Sequence, residues 1–341
     1  MFILSTLCAS LTWAMEGEPL PLEPMLTPPP ADGPVVVRVG FDLQDVHAID
    51  EESETFCISG MLTLRWKDSR LAFDPEKAGC AEKIYNGTFQ FNKVSPSWFP
   101  QLMPINTAGT YTSHGVLLRV APDGSCQQTE MITVDARTLF DLRKIPFDTQ
   151  QLQLHFGVLG FDRDEVVLKP SEMSGYQTDQ LLRVSVPQWK LAGIGMSDNR
   201  ESGDGFSSVT MSFMVHRKSL FIIRLVVLPL MVICMLSWSV FWMEHSSLGN
   251  RMSASFVGIL TAVAYQTKVG DLLPQIAYVT RIHAFLAASF FLMCATALVN
   301  LVVGTFDRQG RQALARRIDH GCRWAFPLLY GVVLLLIVIF V

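Results

Sequence analysis

A chain of 341 residues, half of them apolar and with a mean hydropathy of +0.31, is too hydrophobic for an ordinary soluble domain and is expected to enter a membrane. Its net charge of -4 and pI near 6.0 supply no basic field for nucleic acid, so no nucleic-acid partner is expected. Seven cysteines without metal-ligand spacing give no reason to expect a metal or a cofactor.

In chain order, residues 1–14 form an apolar opening that is expected to be a secretory signal, which would suit an exported domain. Residues 15–34 follow as a proline-rich arm that includes Pro28, Pro29 and Pro30. From 35 to 217 the pattern changes to period-two alternation. It runs through Val35, Val37, Val39, Phe41 and Leu43, and again through Phe56, Ile58, Leu62, Leu64 and Trp66. Ile132 to Ala136, Leu152 to Phe156 and Val209 to Val215 repeat it. Such alternation predicts half-buried antiparallel strands, and turn-rich breaks at Asp74-Pro75, Asn106 to Gly109, Pro122-Asp123-Gly124 and Asp198 to Gly205 separate them. The expectation is an extracellular β-sandwich. Cys57, Cys80 and Cys126 fall in this half, and the spacing leaves a disulfide among them open. The acidic run from Asp162 to Glu165 reads as a solvated turn. No catalytic constellation emerges, and the chain is not expected to be an enzyme.

After Arg217-Lys218 comes a transmembrane domain, 218–341, with four helices at about 220–243, 251–272, 281–306 and 322–341. Arg308, Arg311, Arg316, Arg317 and Arg323 between the last two, and Arg251 after the first, place those links in the cytoplasm. The sandwich and the C-terminus then face outward, as expected for a multi-pass protein of a bacterial inner membrane. Within the second helix, Ser253, Val257, Leu260, Ala264, Thr267 and Asp271 recur at alternating steps of four and three and so share one face. Hydroxyls, an apolar middle and a terminal carboxylate suit the wall of a water-filled pore. Several copies around an axis would be needed to enclose one.

From Val35 onward the chain resembles the pentameric ligand-gated ion channels, the Cys-loop receptor superfamily, in their compact bacterial form. The strand end Trp66-Lys67-Asp68-Ser69-Arg70-Leu71-Ala72-Phe73-Asp74-Pro75 carries the resemblance, as does Trp98-Phe99-Pro100-Gln101-Leu102 leading to Asn106. So do the loop Pro146-Phe147-Asp148-Thr149-Gln150-Gln151, the mid-span Pro229, and Leu273-Pro274 followed by Tyr278. Thr138 and Leu152 stand where animal members have the two loop cysteines, so that disulfide cannot form.

The resemblance implies a homopentamer, each chain partnered by four identical subunits among membrane lipids, opened by a small-molecule agonist at subunit interfaces. Leu260, with Val257, takes the place of the gate, since apolar rings block ions by dewetting. A ring of Asp271 favours monovalent cations, although Lys268 lies at i, i+3 from it. The matched agonist positions hold Met61, Ile105 and Leu159, with Phe161, Phe206 and Tyr176 as aromatic candidates and Arg65 or Arg119 as an alternative partner for a carboxylate. Coupling between the domains is assigned to Asp50, Glu51, Pro146, Phe147, Asp148, Arg217, Pro274 and Tyr278, with Arg217 expected to pair with Asp148 or Glu51. Two other readings stay open: a non-conducting membrane-anchored receptor, and a proton-gated channel using His114, His155 or His283.

Overall fold

The computed structural model describes residues 27–87, 98–171, 186–199, 205–243 and 248–340. Ten strands fill its first half: β1 (Val35–Asp50), β2 (Thr55–Lys67), β3 (Lys83–Gly87), β4 (Leu102–Pro104), β5 (Thr107–Val120), β6 (Ser125–Arg137), β7 (Thr149–Val158), β8 (Val166–Pro170), β9 (Trp189–Asp198) and β10 (Ser208–Arg217). They form a six-stranded sheet of order β3-β5-β6-β2-β1-β8 and a four-stranded sheet of order β4-β7-β10-β9.

The alternation read from the sequence is what closes the two sheets on each other. Val37, Val39, Ile58, Leu62, Leu64, Ile132 and Val134 from one sheet meet Leu152, Leu154, Phe156, Val209, Met211 and Phe213 from the other, all buried in a single apolar cluster. Phe41 and Phe213 touch edge to face across the gap, with centroids 6.2 Å apart. The Pro122-Asp123-Gly124 turn joins β5 to β6, with Gly124 at φ +81°, a conformation that suits glycine. Asp68 donates its backbone N–H to the Gly124 carbonyl, and its carboxylate is bound by Arg70 at 2.8 Å. Arg70 also donates to the Thr27 carbonyl, which holds the end of the proline-rich arm on the sandwich.

The turn expected at Asn106 to Gly109 is shorter than the sequence implies, because β5 already begins at Thr107. Asn106 completes the change of direction itself. Its amide donates to the carbonyls of Arg137 and Gln153, its carbonyl accepts from the His155 N–H, and Gly109 falls within a bulge between Thr107 and Tyr111.

Four long helices follow: α1 (Leu220–Trp242), α2 (Leu248–Gly270), α3 (Arg281–Arg308) and α4 (Gln312–Phe340). By length and apolarity α1, α3 and α4 qualify as membrane spans. The helix α2 reaches the length without the apolarity. It starts at Leu248 rather than 251 and ends at Gly270, so Asp271 sits in the turn just beyond it. The last helix begins ten residues before the expected 322, because Ala315 and Asp319, four apart, form a buried face that makes the arginine-rich stretch amphipathic rather than a loop.

In α1, Pro229 supplies no N–H to the carbonyl four residues back, that of Leu225. Over Ile223–Val227 the helix loosens into a π turn, and the Tyr265 hydroxyl of α2 donates to the Leu225 carbonyl.

Candidate functional site

The sandwich meets the bundle at a cluster of groups drawn from five segments. Arg217, the last residue of β10, is buried; its Nε and Nη2 donate to the two Asp148 carboxylate oxygens at 2.6 and 3.1 Å, and its Nη1 donates to Glu51 at 2.7 Å. The guanidinium also lies 4.1 Å from the centroid of the Trp189 ring. Burial alone would lower the Arg217 pKa, but the bonds to Asp148 and Glu51 outweigh it and raise the value further, so the charge is permanent. Gln150 donates to Asp148 at 2.8 Å and bridges to both backbone groups of Asp141, which fixes the loop that presents Asp148. Pro146 is buried beside it, whereas Phe147 projects outward with 53% of its surface exposed. The Thr138 hydroxyl donates to the Gln151 carbonyl at 3.3 Å and closes the base of the same loop.

Asp50 has a local task. Its carboxylate accepts the N–H groups of Glu52 and Ser53, chiefly the Ser53 bonds hold its pKa below the usual range, and it makes no contact with Arg217. Tyr278, in the linker after α2, accepts the Leu142 N–H at 3.0 Å and donates to the Phe140 carbonyl, with Arg143 against its ring. Pro274 is half-buried in that linker. Val226 of α1, Val269 of α2 and Ile282 of α3 belong to the same buried cluster as Ile145 and Trp189, so apolar packing is continuous across the junction.

Down α2, all six stripe residues, Ser253, Val257, Leu260, Ala264, Thr267 and Asp271, are exposed on one face of the subunit, Val257 by 64% and Leu260 by 70%. The opposite face packs through Ser255, Ala262 and Val269, and a side chain at Gly258 would come within 2.9 Å of the Ser237 hydroxyl of α1. The Thr267 hydroxyl donates to its own helix at the Ala264 carbonyl. Lys268 stands 3.6 Å from Asp271, an exposed pair open to screening.

Arg251 departs from its sequence reading as a cytoplasmic flanking charge. It is buried, donates to both Asp319 oxygens at 2.9 and 2.8 Å and to the Asn300 side-chain oxygen at 2.9 Å, and Asn300 in turn donates to Ser255. The base of α2 is thereby tied to α3 and α4. Nothing in residue spacing marked this triad.

The agonist candidates divide between the sheets. Ile105 and Phe206 converge on Gly157, where an added Cβ would meet them at 3.0 and 3.2 Å, and the exposed Leu159 lies two residues on along the same chain segment. Ile105 also lines a groove of about 760 Å³ with Asn106, Arg137, Asp141, Gln153 and His155. Phe161 stacks edge to face on the buried Trp98 at 5.8 Å and serves the core more than an open cage. Met61, Arg65 and Arg119 sit on the outer face of the other sheet, Met61 opposite Met131, and one subunit does not bring them to Ile105. Tyr176 lies outside the described residues. The described cysteines, Cys57, Cys80 and Cys126 among them, are free thiols.

Residues 22–219, more than half of the chain, match the family model of the neurotransmitter-gated ion-channel ligand binding domain. The chain is 26% identical over 319 residues to the proton-gated ion channel of Gloeobacter violaceus, covering 90% of this chain and 84% of that one. It is 25% identical over 295 residues to a gamma-aminobutyric acid receptor subunit beta-like protein of Drosophila melanogaster, covering 81% and 58% of the two. Against the human gamma-aminobutyric acid receptor subunit rho-3 it is 25% identical over 289 residues, covering 81% and 60%. The chain therefore spans less than two thirds of these two animal subunits. An extracellular sandwich docked on a helical membrane bundle is the build of a receptor channel subunit. The chain belongs to the neurotransmitter-gated ion-channel family, the pentameric Cys-loop superfamily, whose members are ligand-gated channels and not enzymes.

Proposed function

We propose that five copies of this chain surround a cation-conducting pore lined by Ser253, Val257, Leu260, Ala264, Thr267 and Asp271, in a bacterial inner membrane. The observation that carries this reading is the exposure of the whole α2 stripe while the opposite face is packed. Rings of Leu260 and Val257 form the gate, and acceptor oxygens at Thr267 and Asp271 favour cations. Agonist binds between subunits, where Ile105, Leu159 and Phe206 of one chain face Met61 of the next. Moving the pore from 1:99 to 99:1 open requires about 5.5 kcal/mol of differential binding, or about 1 kcal/mol per site in a pentamer, so a modest ligand suffices. The Arg217, Asp148 and Glu51 cluster, with Pro146, Phe147, Pro274 and Tyr278, transmits the change.

A proton-gated version of the same channel is favoured by one observation, the buried carboxyl of Glu130. The similarity to a channel named as proton-gated adds support. The cation pore common to both versions is tested by recording from cells that express Leu260→Ser beside wild type, under a sodium chloride gradient and with surface expression verified, and a step of wild type from pH 7 to about 5 separates them, since only the proton-gated version opens. A hydroxyl ring hydrates the gate, so the mutant is expected to pass spontaneous current that reverses near the sodium potential. Silence from surface pentamers of both proteins would instead assign a non-conducting receptor.

A further inference from the structure

Ser253 opens the exposed stripe of α2, and Arg251, two positions earlier and so about 200° away around the helix, is buried with Ser255 on the opposite face. The first exposed residues of the helix, Gly249 and Asn250, carry no charge. A guanidinium cannot shed its proton inside a protein, so Arg251 brings a permanent positive charge to this end of α2. Packed protein about one helix diameter thick, roughly 10 Å, separates it from the exposed face, and such a path screens a charge far less than salt water does. Arg308, Arg311, Arg316 and Arg317, by contrast, are exposed, where salt weakens their reach. The charge beside Arg251 comes from a different helix. Asp319 of α4 accepts N–H groups from two guanidinium nitrogens at 2.9 and 2.8 Å, and both side chains are only 2% exposed. Paired in this way, the two charges act at a distance as a short dipole. Asn300 of α3 accepts from the same Nη2 at 2.9 Å, donates to Ser255 at 2.8 Å, and adds no charge.

We propose that Asp319 determines how readily cations pass this end of the pore, by cancelling the Arg251 charge from a helix that forms no part of the bore wall. On the cation-pore reading, which this role presupposes, the copies of Arg251 around the axis would otherwise form a positive ring at the cytoplasmic mouth and thin out the cations waiting there. The acid that Gly249 and Asn250 do not provide is supplied from behind the pore helix. Ion passage is thus sensitive to the charge of a residue that no ion touches. The same fork also holds α2 against α3 and α4, so the electrostatic role has to be separated from the mechanical one. Charge sign does so: loss of a tether has no sign, whereas a field reverses with the charge that makes it.

The test is single-channel recording in symmetrical sodium chloride, in the Leu260→Ser background, which is expected to conduct without agonist. Asp319→Asn adds one positive charge per subunit and is expected to lower sodium current entering from the cytoplasmic side by about twofold or more, relative to current in the other direction. Asn300→Asp is isosteric, adds one negative charge at the same fork, and is expected to shift that ratio about twofold or more the opposite way. Combining the two restores the charge and is expected to restore the ratio. If Asp319→Asn does not reach the surface, Asn300→Asp decides alone. The proposal is overturned if the variants leave the ratio unchanged or shift it in the same direction. A Leu260→Ser channel that reaches the surface and stays silent overturns the pore reading and this role with it, whereas a conducting one whose ratio ignores both charges overturns this role alone.

Discussion

Arg217 holds Asp148 with two nitrogens and Glu51 with a third, so one buried side chain closes the end of β10 against both loops that face the membrane. Removing one partner of a buried, hydrogen-bonded ion pair costs about 3–5 kcal/mol, because the remaining charge stays buried without its counter-ion. Arg217→Ala is therefore expected to abolish agonist-evoked current while pentamers still reach the surface and ligand still binds. Arg217→Lys keeps the charge but loses the fork, and is expected to recover part of the current. Normal gating in Arg217→Ala would remove this cluster from the coupling path.

Two titratable groups in the sandwich, Glu130 buried and His155 half-buried, predict opposite responses to acid. Glu130 is buried, with its Oε2 accepting from the Ser113 hydroxyl at 2.9 Å; burial raises its pKa and the serine bond offsets only part of that. A raised value means that the folded state binds more protons than the unfolded one. Stability on this account rises as pH falls through the interval down to the ordinary value of 4.5. His155 has its pKa lowered by burial, so its contribution is complete above the ordinary value of 6.5 and is lost as pH falls below it. Thermal melts across pH 8 to about 4 are expected to lose their acid-side gain in Glu130→Gln and their loss below 6.5 in His155→Gln. If protons gate through Glu130, Glu130→Gln also opens at higher pH than wild type.

At the outer end of α2, Asp271 is exposed and its pairing with Lys268 is loose. Asp271→Lys is expected to move the reversal potential toward that of chloride under a sodium chloride gradient, or to reduce conductance. An unchanged reversal potential and conductance would take this ring out of selectivity.

For the triad at the base of α2, Asp319→Asn removes the buried carboxylate charge that Arg251 grips with two nitrogens and is expected to lower pentamer stability by about 3 kcal/mol or more. Replacing both residues by apolar ones of similar volume, Arg251→Met with Asp319→Leu, is expected to be much milder. Melting of the two variants side by side checks this; equal losses would mean that the helices depend on the charges themselves.

The sandwich was legible because its core faces alternate strictly: Val37 and Val39, or Leu152 and Leu154, state their own orientation. The stripe on α2 was legible for the same reason at helical spacing. Arg251 was not, since its partners Asn300 and Asp319 stand 49 and 68 positions away, and an arginine at a span boundary looks like any solvated flanking charge. Gln150 and Trp189, which frame Asp148 and Arg217, carry no charge or period that would single them out.

The proline in α1 has a consequence for how the bundle moves. A membrane helix normally satisfies its own backbone and can slide past its neighbours without exposing a bare carbonyl to hydrocarbon. Here the first helix borrows a hydroxyl from the second, at Leu225, and the next carbonyl along, Val226, lies 3.4 Å from the same Tyr265 oxygen. One hydroxyl thus stands within reach of two successive carbonyls, so moving the second helix against the first means breaking a hydrogen bond at the very turn that Pro229 has loosened.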